Sequence, residues 1–219
     1  MLHHLITVWF GWVKSGGYLG IIVLMAMESS IFPVPSEVVI PPAAFWAAQG
    51  QGMNFWGVVL AGTFGSWLGS AITYWLAYWL GRVVIIRHGH YFFLSEAKLE
   101  RAERFIHRYE AGGIFFARLL PVIRHLISIP AGIVRMGFGL FSAMTVAGSF
   151  LWCLVLAWFG DKMSRENPDL INDPQTMVKA IKAESIPLVI AVVVFCALYI
   201  LAIRLTAPKT AGGASDASA

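Results

Sequence analysis

Apolar residues run along this chain in long blocks, some continuous and some broken by proline. Residues 55–81, 137–160 and 186–205 are continuous. Each reaches the ~20 mostly apolar residues that an α-helix needs to cross a hydrocarbon core, so each predicts a transmembrane helix. Residues 17–48 and 112–134 are equally apolar, but the first carries Pro33, Pro35, Pro41 and Pro42 and the second Pro121 and Pro130. Proline lacks a backbone donor and its ring clashes with the preceding turn, so neither block forms one straight helix. Irregular backbone at membrane depth is stable only where protein or a watery cavity covers it. Both blocks therefore predict re-entrant helical hairpins, with Pro33, Pro35, Pro121 and Pro130 as the hairpin-breaking residues.

The order is hairpin, span, polar stretch, hairpin, span, polar loop, span, which is one unit used twice. The two copies align: Pro33 lies nine residues before Pro42 and Pro121 nine before Pro130, each pair ending in Pro-Ala. A hairpin returns to the side it came from and a span does not, so the second unit enters inverted. The expected fold is an all-α membrane protein: an inverted repeat of re-entrant helical hairpin plus transmembrane helix, with an additional C-terminal transmembrane helix. Duplicated broken segments of opposite orientation point to a transporter with its site at the repeat interface.

One membrane domain is expected over residues 1–207. Residues 1–16 have an apolar centre without the basic start or small-residue cleavage site of a signal peptide, and predict an interfacial helix. Residues 94–110 are amphipathic, with Leu99, Ala102, Phe105 or Ile106, and Tyr109 on one side and Ser95 as a cap, and predict a helix lying on the bilayer. Residues 208–219 are small and polar and predict a disordered tail. A stripe of small residues, Ala61, Gly65, Gly69, Thr73 and Ala77, follows one face of the first span. Such a stripe lets another backbone approach, so Gly65 and Gly69 are expected to pack against a hairpin; a homo-oligomer is also compatible with it.

Composition strengthens the membrane reading. The chain is 58% hydrophobic and 13% charged, with a mean hydropathy of +0.71, which excludes an ordinary soluble domain. The net charge of +4 is spread over loops with no basic cluster among exposed aromatics, so no nucleic-acid partner is expected. Lys and Arg number eight over residues 82–110 and from Arg204 onward, against five on the opposite side. The positive-inside rule then places the C-terminus in the cytoplasm. Cys153 and Cys196 fall inside apolar blocks, and His88 and His90 have no Cys, Asp or Glu at ligand spacing. Neither a disulfide, a metal nor a cofactor is expected.

Four charges sit inside the broken blocks: Glu28 and Glu37 in the first, Arg118 and Arg124 in the second. A charge at the bilayer centre costs at least ~2.5 kcal/mol, and such residues usually mark a pathway or a site. A buried ion pair is a weak device for stability alone. Arginine's planar fork matches phosphate, so Arg118 and Arg124 are candidate phosphate-binding residues. Burial disfavours the charged form of a carboxyl, which makes Glu28 and Glu37 candidate proton-coupling residues. Ser29, Ser30 and Ser36 are read as hydroxyls that satisfy backbone groups freed near the prolines. Arg135 lies at a hairpin end, where it can snorkel to the interface.

The blocks "ESSIFPVPSEVVIPPAA", "GSWLGSAITYWLAYWLGR" and "FFARLLPVIRHLISIPAGIVRM" resemble, in that order, the signature blocks of the DedA family, also called the VTT or SNARE-associated family. The resemblance spans Gly17 to about Phe159. It implies two opposed re-entrant hairpins and a multi-pass protein of the bacterial inner membrane that moves lipids between leaflets. The substrate it implies is undecaprenyl phosphate, recycled for cell-envelope synthesis with proton coupling. By motif, Glu28 and Glu37 match the family's essential acids, and Arg118 and Arg124 its essential arginines. Counted from Tyr74, Gly81-Arg82 comes four residues later than the family's Y-x-x-G-R, whereas Tyr78 stands at that spacing; no role is expected of Arg82 here. The expected partners are a lipid phosphate, protons and membrane lipids. A proton-coupled small-ion or solute transporter and a general phospholipid scramblase remain the alternatives.

Overall fold

The structure, a computed structural model, describes residues 2–30, 35–88, 114–119, 124 and 126–166. The expected surface helix 94–110, final span 186–205 and tail 208–219 lie outside the described residues, as do Pro33, Pro121 and His90 and the side chains of Arg82 and His88. No strand occurs among the described residues.

Helix α1 (Leu2–Glu28) breaks at Gly17, whose φ of 52° and ψ of −131° suit only glycine. The break falls where the interfacial helix was expected to meet the first hairpin. The turn is tight: a Cβ on Gly20 would meet the backbone of Trp12. After Glu28 comes a 3-10 turn, Ser36–Val38, entered from an extended Pro35, and then α2 (Ile40–Ala48). Pro41 and Pro42 occupy the first turn of α2, where no intrahelical donor is lost. These two prolines start the second arm instead of breaking it. Pro130 behaves the same way, as the third residue of the short α5 (Ser128–Ile133), which follows the helical residues 114–119, here α4.

Among the described residues, two helices are long and apolar enough to cross a membrane. The first, α3 (Phe55–His88), has 34 residues and is ~51 Å long at 1.5 Å per residue. It begins where Asn54 Oδ1 accepts the Gly57 N–H at 2.6 Å, a side-chain cap, while Tyr18 from α1 accepts the Asn54 N–H at 2.8 Å. It outruns the expected 55–81, because no proline or competing cap stops a helix that satisfies its own backbone. The second, α6 (Phe138–Glu166), outruns 137–160 for a visible reason. Asp161 pairs with Arg165 at 2.9 Å and Lys162 with Glu166 at 3.6 Å, both at the i,i+4 spacing that supports a helix end.

The short helices pack on the long ones crosswise, through glycine. Gly65 and Gly69 of α3 lie against Ile22, Met25 and Ala26 of α1, whereas Gly160 of α6 lies against the backbone of Pro41 in α2. In the second half the partners exchange: Gly148 of α6 lies against Phe115 and Arg118 of α4, and Gly132 of α5 lies against Tyr74 and Ala77 of α3. These approaches leave two apolar cores. One gathers Leu24, Ile40, Phe45, Val58, Val59, Trp152 and Leu156; the other gathers Tyr74, Ile114, Ala117, Ile127, Ala131 and Phe141. Because α3 enters the first core with its early residues and α6 with its late ones, the two spans are antiparallel, and the middle of each lies between the cores.

The glycine contacts give a stability prediction. A Cβ at Gly69 would meet the Ala26 backbone, whereas one at Gly139 would meet nothing within 4 Å. Gly69→Ala should therefore cost ~1–3 kcal/mol, the usual penalty of overpacking, and lower the thermal midpoint in detergent. Gly139→Ala should leave that midpoint unchanged.

Candidate functional site

Between the two cores lies a layer of buried polar side chains. Glu28 ends the first arm of α1, and its side chain points into protein; the residue is only 3% exposed. Arg124, 7% exposed, comes from the joint between α4 and α5 and donates through Nη2 to Glu28 Oε1, a buried ion pair. One charge thus comes from each proline-broken block. The breaks supply the remaining partners. With the helix interrupted, the Ser36 N–H has no helical acceptor and donates to Glu28 Oε1 at 2.9 Å. Ser36 Oγ accepts from Arg124 Nη2 at 2.9 Å and from Trp152 Nε1 at 3.2 Å. The guanidinium of Arg124 also lies 5.5 Å from the centre of the Trp152 ring, in cation–π range. Ser36 therefore links the first block, the second block and α6.

Arg118 sits beside this pair and is 2% exposed. Its Nη2 donates to Ser128 Oγ at 3.0 Å, and it lies close enough to Arg124 and Glu28 for their charges to interact. Among the described residues no carboxylate touches it, and its Nε has no hydrogen-bond partner. Glu28 Oε2 is likewise buried and unpartnered. Glu37 stands in the 3-10 turn, half-buried, within electrostatic range of Glu28 and in no ion pair among the described residues. Of the four predicted charges, Glu28 and Arg124 are joined directly, Arg118 adjoins them, and Glu37 stays at the edge. No group of His, Cys, Asp and Glu among the described residues is arranged to hold a metal ion.

Arg118 and Arg124 line a narrow crevice with Met25, Ser66, Ser149, Trp152 and Cys153, too tight to admit a water molecule. Its depth follows from counting: Ser66 lies eleven residues after Phe55, and Ser149 eleven after Phe138. At 1.5 Å per residue each is ~17 Å into its helix, near the middle of a ~30 Å hydrocarbon layer.

The sequence reading had only part of this cluster. Of the three serines expected to satisfy freed backbone, Ser30 does so, donating to Met27 O at 2.8 Å. Ser36 instead serves the arginine, and Ser29 bonds a hydroxyl on α3. Ser66, Ser149, Ser128 and Trp152 were missed. The available signal was polar residues halfway along otherwise apolar helices, which an inventory restricted to full charges passes over.

The VTT domain matches residues 34–162, which take in α3, both arginines and all but the last four residues of α6. The chain is similar to undecaprenyl phosphate transporter A of Bacillus subtilis, 31% identical over 90% of this chain and 93% of that one. It is also similar to undecaprenyl phosphate transporter A of Staphylococcus aureus, 27% identical over 86% of this chain and 93% of that one. A protein of Lactococcus lactis named alkaline phosphatase-like is 33% identical over 66% of this chain and 69% of its own. No solved structure matches. With the domain matched over more than half the chain and a relative above 30% identity along nearly its whole length, the chain belongs to the VTT-domain, or DedA, family of membrane proteins.

Proposed function

We propose that the protein carries undecaprenyl phosphate between the leaflets of a bacterial inner membrane, with proton coupling, through two re-entrant hairpins in an inverted repeat. The observation that carries this reading is the Glu28–Arg124 pair, which ties the two proline-broken joints together with Arg118 alongside. In this arrangement Arg124 is occupied by a protein carboxylate and the crevice is closed. A lipid phosphate enters only when the joints part, and it then takes the place of Glu28 on Arg124. Protonation of Glu28 releases the arginine and lets that exchange occur at no net cost in charge. The polyprenyl chain stays in lipid throughout.

Three further observations support the reading. The crosswise exchange of helix partners between the two halves is what an inverted repeat produces. The equal depth of Ser66 and Ser149 on antiparallel spans puts the polar layer near the midplane, where repeat-built transporters hold substrate. Two relatives covered along almost their full length are named undecaprenyl phosphate transporters. The Lys and Arg distribution puts the C-terminus on the cytoplasmic side, and Glu37 takes a secondary place in the proton path.

The name alkaline phosphatase-like favours a second reading, phosphoester hydrolysis. Purified protein in vesicles decides between them: transport predicts movement of undecaprenyl phosphate with no release of inorganic phosphate, and hydrolysis predicts release. A solute transporter is separated by ligand stabilisation. The long-chain lipid phosphate should raise the thermal midpoint, and inorganic phosphate should do so far less. Proton coupling is tested on its own by Glu28→Gln, which fixes the neutral state. This variant should flatten the pH profile of transport; a wild-type profile in its place would remove Glu28 from that role.

A further inference from the structure

Helix α3 carries four buried serine and threonine hydroxyls near its middle, and three are already committed to their own helix. Thr63 Oγ1 donates to Val59 O at 2.7 Å, Ser70 Oγ to Ser66 O at 2.6 Å and Thr73 Oγ1 to Gly69 O at 2.9 Å. Ser66 is different. Its Oγ lies 2.8 Å from Ser29 Oγ and 3.1 Å from Ser149 Oγ, so one chain of hydroxyls joins the end of the first arm, α3 and α6. All three serines are buried. Three hydroxyls carry three protons and two mutual bonds use two of them, which leaves one donor in the chain with no acceptor among the described residues. Ser66 and Ser149 line the crevice that Arg118 and Arg124 line, and Arg118 brings an unpartnered Nε to the same cluster.

We propose that Ser66 and Ser149 are the neutral half of the headgroup site and select a phosphate monoester over a phosphodiester. The inference rests on the lipid-phosphate reading and refines it. A monoester presents three terminal oxygens and a diester two. Arginine forks engage pairs of oxygens in a plane, so the third oxygen falls to donors of another geometry, and a rotatable hydroxyl provides one. In the closed arrangement the two hydroxyls hold each other. When the crevice opens they exchange that bond for bonds to the incoming phosphate. A diester carries an ester substituent where the third oxygen would be and leaves buried donors unpaired, which is how a polar site rejects an analogue.

The test is competition in one vesicle. Protein is reconstituted with undecaprenyl phosphate and phosphatidylglycerol together, and the ratio of their transfer rates is measured. That ratio does not depend on how much of a variant is folded. Wild type should favour the monoester, and Ser66→Ala and Ser149→Ala should each lower the preference about tenfold, the effect of losing one hydrogen bond to a charged group. Ser70→Ala, whose hydroxyl is tied to a carbonyl, should leave it unchanged. Where an alanine variant does not fold, Ser66→Cys keeps the volume with a poor donor and should move the ratio in the same direction. A wild-type ratio in the folded Ser66 and Ser149 variants overturns the inference and leaves the lipid-phosphate reading standing. The same ratio with a flattened pH profile overturns it too, because the hydroxyl chain then moves protons. Wild type that transfers neither lipid overturns the reading and the inference together.

Discussion

Arg124→Gln is expected to lose all translocation and several kcal/mol of stability, and adding Glu28→Gln is expected to restore the stability without the transport. The single change leaves the Glu28 carboxylate buried without its cation, and breaking one partner out of a buried pair costs ~3–5 kcal/mol. Removing both charges leaves two amides of similar size among Ser36 and Trp152, and replacing a buried pair as a whole is often neutral or stabilising. If the pair served only to fasten the two joints together, the double variant would regain transport along with its thermal midpoint. Thermal unfolding in detergent and lipid transfer in vesicles, measured on the same four proteins, separate the two roles. A double variant that transports like wild type would show that the charges only fasten the joints.

Arg118→Ala should behave in the opposite way, keeping stability and losing function. The residue is 2% exposed, and its guanidinium has one described hydrogen bond, to Ser128 Oγ, and no carboxylate in contact among the described residues. A buried cation without a counter-charge is costly to keep, so its removal should change the thermal midpoint little or raise it. Transport should fall about 100-fold, the effect of losing two charge-assisted hydrogen bonds to a phosphate. Arg118→Lys should remain strongly impaired, because an ammonium keeps the charge without the planar fork. An alanine variant as unstable as Arg124→Gln would mean that Arg118 holds the structure instead of the substrate.

Much of this arrangement was legible in the sequence because it rests on backbone chemistry that proline reveals. An interruption between the two arms was expected from Pro33 and Pro35 and lies between α1 and α2, and Gly65 and Gly69 of the small-residue stripe on α3 do lie against α1. Side-chain pairing was less legible. Which acid meets which arginine depends on how the joints are folded, and the spacing of Glu28 and Glu37 on one side and of Arg118 and Arg124 on the other admits either match. The spans expected over 55–81 and 137–160 fall on α3 and α6, and the apolar part of α3 ends at Leu80; hydropathy marks where a helix leaves the apolar layer, and a helix with internally satisfied backbone continues past that point. The serine chain was missed for a different reason: Ser66, Ser70 and Ser149 look alike in sequence. Only the packing of α1, α3 and α6 distinguishes a hydroxyl spent on its own carbonyl from one held across helices.

The most direct test of lipid-phosphate transport is a transfer assay with purified protein in vesicles containing undecaprenyl phosphate, with and without a pH gradient. The lipid should change leaflets only where protein is present, faster with the gradient and with no release of inorganic phosphate, and Arg118→Ala should slow the movement about 100-fold. Equal transfer by wild type and Arg118→Ala, or none by wild type, would contradict it.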